Sequence, residues 1–457
     1  MMNLETVKKN VAKKIDFTTA PIHILIVGLG VTGLSIARFF KKIEVNFSLI
    51  DSRKNLGNLT QIKAMFADSE VFTGGFPETK FRGVTHLFVS PGVSLDEPAI
   101  AKCLNEGAVL LSDIDLFAFC IDAPVIAITG SNGKSTVTTM VEGMARSAGI
   151  EVRAGGNLGV PALDLMADDI ALYVLELSSF QLERMTALRP QAAVVLNVSS
   201  DHMDRYSTIE VYAKVKSKIY DHAATCVINV DDPRVSAMVT LKPTTITYSV
   251  TKKAGLSVRN ESGSLWLVNG DKAVIARSNI LVVGKHNTSN ALAAMALATA
   301  VGIPMDSIVD ALMDYQGLPH RLQIVSVDHE LIWVNDSKAT NPSSCIAALK
   351  AFDEKVVLIA GGDCKGADLT ELATIIQQQA RLVILFGRDA QRIEDALENS
   401  VLVYNSETLE EAVLIAKELA VAGETVLLSP ACASLDQFKD YQERGEIFAQ
   451  TVRRIAA

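Results

Sequence analysis

Positive charge is what this chain is short of: 43 Lys and Arg stand against 52 Asp and Glu, a formal net charge of −9 over 457 residues. A protein that grips nucleic acid does so with lysine and arginine that neutralise phosphates, so nucleic acid is not an expected partner. The six cysteines (Cys103, Cys120, Cys226, Cys345, Cys364 and Cys432) include no Cys-x-x-Cys pair and have no matching histidine cluster. That argues against a zinc site and fits a reducing cytoplasm. The most apolar later segment, Ala291 to Val301, is too short to span a bilayer. Lys8, Lys9, Lys13 and Lys14 before the apolar run Ile22 to Val27 superficially resemble a secretory signal, but Asp16, Pro21 and three close glycines spoil the pattern. No repeat or low-complexity tract is present. A cytoplasmic monomer without membrane insertion is expected.

Apolar residues are not scarce, at 49% of the chain, and the length suits about three domains. The organising stretch is Val125-Ile126-Ala127-Ile128-Thr129-Gly130-Ser131-Asn132-Gly133-Lys134-Ser135-Thr136. Its apolar run between Pro124 and Gly130 suits a buried strand, and the turn after it can aim backbone N–H groups at an anion near the next helix N-terminus. Gly130 and Gly133 permit that path, Lys134 would neutralise phosphate oxygens, and Ser135 or Thr136 would place a hydroxyl on Mg²⁺. Only Ser131 and Asn132 separate the glycines, a shorter loop than the general pattern. The bland alternative is a strand-turn-helix junction with a surface lysine.

Upstream, Ile22 to Val27, Gly28-Leu29-Gly30-Val31-Thr32-Gly33 and Phe47 to Asp51 read as a Rossmann-like strand, turn-helix and strand, with Asp51 where a ribose-binding carboxylate would sit. His86 to Val89 followed by Ser90-Pro91-Gly92 reads as a further strand with its loop at the ligand-binding edge. Residues 1–20 form a polar extension, loose or helical. Ala171 to Glu176, Ala193 to Asn197 and the helical run Ile209 to Tyr220 follow the phosphate loop, and short alternating segments between Thr245 and Ile275 read as a β-rich insertion or flanking sheet. Beyond the hinge Gly317-Leu318-Pro319, the strands Leu331 to Asn335, Val356 to Ala360, Leu382 to Phe386 and Thr425 to Leu428 alternate with helices. The expected class is α/β in three domains, with boundaries at 1–111, 112–317 and 318–457.

Glu176, ending an apolar strand, is a candidate Mg²⁺-binding acid, set against a helix-capping role for the Glu176-to-Gln181 cluster. Asp201-His202-Met203-Asp204-Arg205 packs acids, an imidazole and an arginine into one loop, where His202 could ligate metal and Asp201 orient it. Three polar loops in the last domain, each after a strand, suggest a surface for a carboxylate or phosphate ligand. A dinucleotide-dependent dehydrogenase would account for the first glycine motif but not for the phosphate loop. A non-enzymatic ATP-gated binding protein is the other rival.

Taken together, Thr129 to Thr136, Asp201 to Asp204, Leu318-Pro319-His320-Arg321 and Asn335-Asp336-Ser337-Lys338-Ala339-Thr340-Asn341 resemble the Mur ligase family. The resemblance spans all three domains. It implies a Rossmann-like N-terminal domain, a central P-loop domain with a mainly parallel sheet plus a small β-sheet, and a C-terminal Rossmann-like α/β domain. The opening, together with Ser429 to Phe438, is most similar to the family member that joins D-glutamate to UDP-N-acetylmuramoyl-L-alanine in peptidoglycan synthesis. The resemblance implies ATP on Gly130 to Thr136 with Asn287, Asn290, Arg321, Asp336 and Lys338, and two Mg²⁺ ions near Ser135, Glu176, His202 and a carbamylated Lys216. Lys134, His202 and Lys216 would be catalytic. Uridine would lie on Val31, Thr32, Ser52 and Arg53 with Ser90 nearby, and the muramoyl part on Asn157 and His202. D-glutamate would meet Thr340, Lys365, Ser434 and Leu435, with Tyr441 standing where a phenylalanine is expected. The implied reaction passes through an acyl phosphate.

Overall fold

A computed structural model describes residues 4–15, 22–157, 159–199, 201, 205–238, 244–282, 284–328, 331–352 and 354–456. The chain divides into two compact units, Met1–Ile275 with Asn290–Ala311, and Ala276–Ser289 with Leu312–Ala457.

The first unit contains two sheets. The strands Ile24–Val27 (β1), Ser48–Asp51 (β2), Val71–Thr73 (β3), His86–Val89 (β4) and Val109–Leu111 (β5) form a parallel sheet in the order β3-β2-β1-β4-β5. Strand order reverses beside β1, so the loops after β1 and β4 open side by side at the carboxyl edge, where such sheets bind ligands. The fully buried β1 sends Ile24 and Ile26 into one apolar cluster and Leu25 and Val27 into another, as the two-residue period of a strand requires. Gly33 is obligatory where helix Val31–Lys42 crosses this edge, since a Cβ there would stand 1.9 Å from the Gly28 carbonyl oxygen. The N-terminal extension contains helix Leu4–Ile15, whose Val7, Val11 and Ile15 repeat along one face, are buried, and pack with helix Asp113–Cys120.

The second sheet is assembled from Val125–Thr129 (β6), Val152–Gly156 (β7), Leu172–Glu176 (β8), Ala192–Val195 (β9), Thr225–Asn229 (β10), Thr245–Ser249 (β11), Leu256–Glu261 (β12), Ser264–Asn269 (β13) and Lys272–Ala276 (β14). Its order is β14-β13-β12-β11-β10-β9-β6-β8-β7. β6 lies between β8 and β9, parallel to both, with Ile128 opposite Glu176 and Thr129 opposite Val195. The β-rich stretch after Thr245 forms the far edge, where β12 and β13 pair antiparallel. Ala291 to Ala298 of helix Lys285–Ala300 are fully buried, which accounts for the apolarity of a segment too short to cross a bilayer. Among the described residues, no helix is long and apolar enough to cross a membrane.

The second unit carries Gln323–Asp328 (β15), Leu331–Asn335 (β16), Val356–Gly361 (β17), Ala380–Phe386 (β18), Leu402–Asn405 (β19) and Thr425–Leu428 (β20), ordered β15-β16-β20-β17-β18-β19. Only the β15–β16 pairing is antiparallel. Val357 and Ile359 face one apolar layer and Leu358 and Ala360 the other, so helices cover both faces. β20 between β16 and β17 brings three carboxyl-end loops side by side: Asp336 onward, Ser429 onward and Gly362 onward.

Candidate active site

The loop after β6 is tied down from the neighbouring strand end. Ser131 N–H donates to the Asn197 carbonyl (3.0 Å), Asn132 N–H to Asn197 Oδ1 (2.9 Å), and the Ser131 hydroxyl to the Ser199 carbonyl (3.0 Å). Gly133 takes a left-handed φ of 85° as N-cap of helix Lys134–Ser147, and a Cβ there would come within 2.5 Å of Asn290 Oδ1. Only glycine serves at that position. The helix N-terminus therefore opens over a fixed loop, a ready anion site. Lys134 Nζ folds back to donate to the Gly130 and Ser131 carbonyls at 2.9 and 3.0 Å.

Glu176, at the end of β8, is 2% exposed. Its Oε2 accepts from the Ser135 hydroxyl and its Oε1 from Asn157 Nδ2, both at 2.7 Å. One carboxylate thus joins the phosphate loop to the loop after β7. The capping box that the sequence offers as an alternative is also present, with Ser178 and Gln181 bonding reciprocally at the start of helix Ser179–Arg184. Lys216, on helix Ile209–Ser217, is 1% exposed and donates to the Gly130 carbonyl (3.0 Å) and Thr129 Oγ1 (3.4 Å), with its Nζ 4.5 Å from the centre of the Tyr212 ring. Burial, helped by the charge of Lys134 and opposed by Asp201 and Glu176, pushes this lysine down to about 7. His202, Met203 and Asp204 lie outside the described residues.

Beside this cluster lies a cleft of about 620 Å³ lined by the loops after β1, β2, β4 and β7 and by the start of helix Ser179–Arg184. It gathers Val31, Thr32, Ser52, Arg53, Ser90 and Asn157, all named from the sequence. It adds Phe180 and Gln181, from the polar cluster that opens at Glu176, and Phe76 and Pro161, which no local pattern marks because their role arises from packing. Asp51, expected from its position as a ribose ligand, lines the cleft and already has partners of its own. It is 3% exposed, and its carboxylate accepts from Leu29 N–H (2.7 Å), Arg53 N–H (2.8 Å), Arg53 Nε (2.9 Å) and Arg53 NH2 (2.8 Å). Burial pulls its pKa upward, but the Arg53 and backbone bonds prevail and hold it below the ordinary range. The carboxylate is spent on clamping the glycine loop to Arg53.

In the second unit, Asp336 accepts from the Ser429 hydroxyl (2.8 Å) and Leu322 N–H (3.2 Å), and burial pushes it up to about 7 against those bonds. The fully buried Arg444 fastens two loops, its Nε and NH2 donating to Ser337 Oγ and O, and its NH1 to the Cys432 carbonyl. Lys338 Nζ rests 3.7 Å from the centre of the Tyr441 ring, and Thr340 N–H donates to the Lys338 carbonyl. Lys365 is exposed at a left-handed φ of 49°, Ser434 is buried and Leu435 is 65% exposed. Arg321 is exposed; Asn287 and Asn290 are buried on helix Lys285–Ala300. Cys364 and Cys432, 68 residues apart in sequence, stand side by side with Cα atoms 4.5 Å apart. The loops after β17 and β20 converge there, a proximity that cysteine spacing conceals.

The three stretches of the chain match known protein domains. The chain matches the MurD-like N-terminal domain of Mur ligases over residues 22–112, the Mur ligase middle domain over 128–298 and the Mur ligase glutamate ligase domain over 320–432. It is 44% identical to the UDP-N-acetylmuramoylalanine--D-glutamate ligase of Methylococcus capsulatus over 95% of each chain. The chain belongs to the Mur ligase family. The ligase of the same name from Pseudomonas aeruginosa is 43% identical over 94% of this chain and 98% of its own. Among solved structures, the UDP-N-acetylmuramate-alanine ligase of Thermotoga maritima shares the Mur ligase fold, with a TM-score of 0.58 at 18% identity over 95% of this chain and 100% of its own.

Ser135 and Glu176 suit Mg²⁺, because hard oxygen donors beside a phosphate site are what that ion takes. Among the described residues, no cluster of three His, Cys, Asp or Glu forms a protein-only metal cage.

Proposed function

We propose that this chain joins D-glutamate to UDP-N-acetylmuramoyl-L-alanine, driven by ATP, with release of ADP and phosphate in peptidoglycan synthesis. The family and the two ligases of that name support the reaction type and the amino acid. The observation that carries the reading is the Glu176 bridge, which puts a nucleotide-sized cleft and a phosphate loop on opposite oxygens of one carboxylate. We divide the chain into 1–111, 112–317 and 318–457. We place the enzyme in the cytoplasm, with its substrates.

A carboxylate is a poor acyl donor, since its charge repels nucleophiles and its oxide leaves badly. Transfer of the ATP γ-phosphoryl to the alanyl carboxylate gives an acyl phosphate; the D-glutamate amine attacks the carbonyl carbon, the C–O bond to phosphate breaks and the amine loses a proton. Lys134 stabilises negative charge on the transferring phosphoryl group, and the N–H groups of the Gly130 to Thr136 loop hold the phosphates. Asn287, Asn290, Arg321, Asp336 and Lys338 hold the rest of ATP. Val31, Thr32, Ser52, Arg53 and Ser90 hold the uridine diphosphate end, while Asn157 and His202 hold the muramoyl end. Thr340, Lys365, Ser434, Leu435 and Tyr441 receive D-glutamate, whose carboxylates suit the Lys365 ammonium. Mg²⁺ would be held by Ser135, Glu176, His202 and Lys216, supplying positive charge against the phosphate oxygens. Lys216 fits that set as a carbamate. An ammonium cannot ligate, but a buried amine titrating near 7 can add CO₂ with loss of a proton and become an oxygen donor. ADP release measured across UDP-linked muramoyl substrates and D- and L-amino acids tests the proposal. Turnover requiring both UDP-N-acetylmuramoyl-L-alanine and D-glutamate is expected; turnover with another pair, or ADP release needing neither, would overturn it.

A further inference from the structure

Arg184 is a buried cation outside the machinery described so far. It ends helix Ser179–Arg184 and is only 3% exposed. Its NH1 donates to the carbonyls of Val89 (2.5 Å) and Ser90 (2.7 Å), and its NH2 to that of Val93 (2.5 Å). All three acceptors belong to the end of β4 and the turn that follows it. Ser90, Pro91, Gly92 and Val93 line the cleft, and the turn is closed by Val93 N–H donating to the Ser90 carbonyl (2.9 Å). It is fixed to the glycine loop by Ser90 N–H on the Val27 carbonyl and by the Ser90 hydroxyl on the Gly28 carbonyl, both 2.8 Å. Arg184 therefore reaches from the helix that follows Glu176 into the carbonyls of a turn that lines the cleft.

Among the described residues the guanidinium's three hydrogen bonds go to main-chain oxygens and none to a carboxylate, and its Nε is buried without a hydrogen-bond partner. Burial first, and the charge of Arg205 second, push Arg184 down to about 10 against the opposing charges of Glu183 and Asp113, which leaves it cationic at neutral pH. A buried cation without a hydrogen-bonded acid is a costly element to retain for folding alone. A planar fork that satisfies three divergent carbonyls cannot be reproduced by an ammonium.

Resting on the function proposed above, we propose that Arg184 is a positioning residue for the UDP-linked substrate. It holds the Ser90–Val93 turn in the shape that receives the nucleotide and sets its positive charge beneath the site of an anionic diphosphate. It touches neither ATP nor D-glutamate.

The test is steady-state kinetics and direct titration of the full chain with UDP-N-acetylmuramoyl-L-alanine, comparing Arg184→Met and Arg184→Lys with the unmodified protein. For Arg184→Met we expect KM and Kd for the UDP-linked substrate to rise about tenfold or more, with kcat and the KM values for ATP and D-glutamate within about threefold, the pattern of lost uniform binding. Arg184→Lys, which keeps the charge but loses the fork, should fall between. An unchanged Kd for the UDP-linked substrate in Arg184→Met overturns the inference. So does a parallel loss for all three substrates in both variants, since that pattern marks a merely structural arginine. If Arg184→Met fails to fold, Arg184→Lys decides by the same criterion: a selective rise in KM for the UDP-linked substrate supports the inference, and its absence overturns it. Failure of the unmodified protein to bind the UDP-linked substrate would instead overturn the functional reading on which the inference rests.

Discussion

Replacing Asp336 by asparagine should stabilise the second unit while impairing nucleotide use. The carboxyl is pushed from its ordinary 3.8 up to about 7 by burial, despite the Ser429 hydroxyl that bonds it. An acid whose folded pKa is raised binds more protons in the folded state between pH 3.8 and about 7. Its contribution is therefore fully favourable below the lower value and is lost as pH rises through the upper one. About three pKa units at 1.36 kcal/mol each set an upper bound of about 4 kcal/mol on the cost of keeping the carboxylate charged above pH 7. Asparagine keeps the shape and one acceptor oxygen for Leu322 N–H but no charge, so Asp336→Asn should exceed the unmodified protein by about 1–3 kcal/mol at pH 8, with the gap closing towards pH 4. Trp333, 1% exposed on β16 two strand positions before Asn335, reports on this unit. Urea unfolding followed by its fluorescence, in a Trp266→Phe background, measures the gap. A midpoint difference that stays flat from pH 4 to 8, or that favours the unmodified protein at pH 8, would refute the reasoning. Gained stability with lost ATP affinity is the signature of a strained functional group.

Three further outcomes follow from the geometry. Lys134→Ala should lower ADP release by about a hundredfold or more with little change in melting temperature, because the lost charge acts on the transferring phosphoryl group; near-normal release would remove Lys134 from that role. Lys365→Ala should raise the KM for D-glutamate by about 10- to 100-fold, the range of a lost charge-assisted bond, and a rise confined to ATP would count against it. Lys216→Ala should be nearly inactive and partly restored by short-chain carboxylic acids standing in for a carbamate; full activity without them would exclude the modification.

What was legible in the sequence was local. The phosphate loop could be read because glycine, lysine and hydroxyl fall within a few residues, and its shortness is matched by ties from Asn197 and Ser199. The alternation of strands and helices likewise predicts parallel sheets. Pairwise commitments between distant residues were hidden. Asp51 stands at the position of a ribose ligand, yet Arg53 and Leu29 N–H occupy its carboxylate, and position alone does not disclose a partner. Strand β7, with Arg153 and two glycines among five residues, lacks the apolar signal that marks its neighbours. The Cys364–Cys432 pair is separated by 68 residues and meets only because β20 lies beside β17. Arg184 and Arg444 carry no local signal of burial, yet the fold buries both.

The Glu176 bridge has a thermodynamic corollary. A ligand that takes the Asn157 amide must win it from Oε1, and one that takes the Ser135 hydroxyl must win it from Oε2. Whatever fills one side alters the charge and the hydrogen-bond demand that the other side meets. Linkage makes such an influence mutual: if ATP changes the affinity for the muramoyl substrate by some factor, the muramoyl substrate changes the affinity for ATP by the same factor. A single buried carboxylate can thereby make the two substrates sense each other.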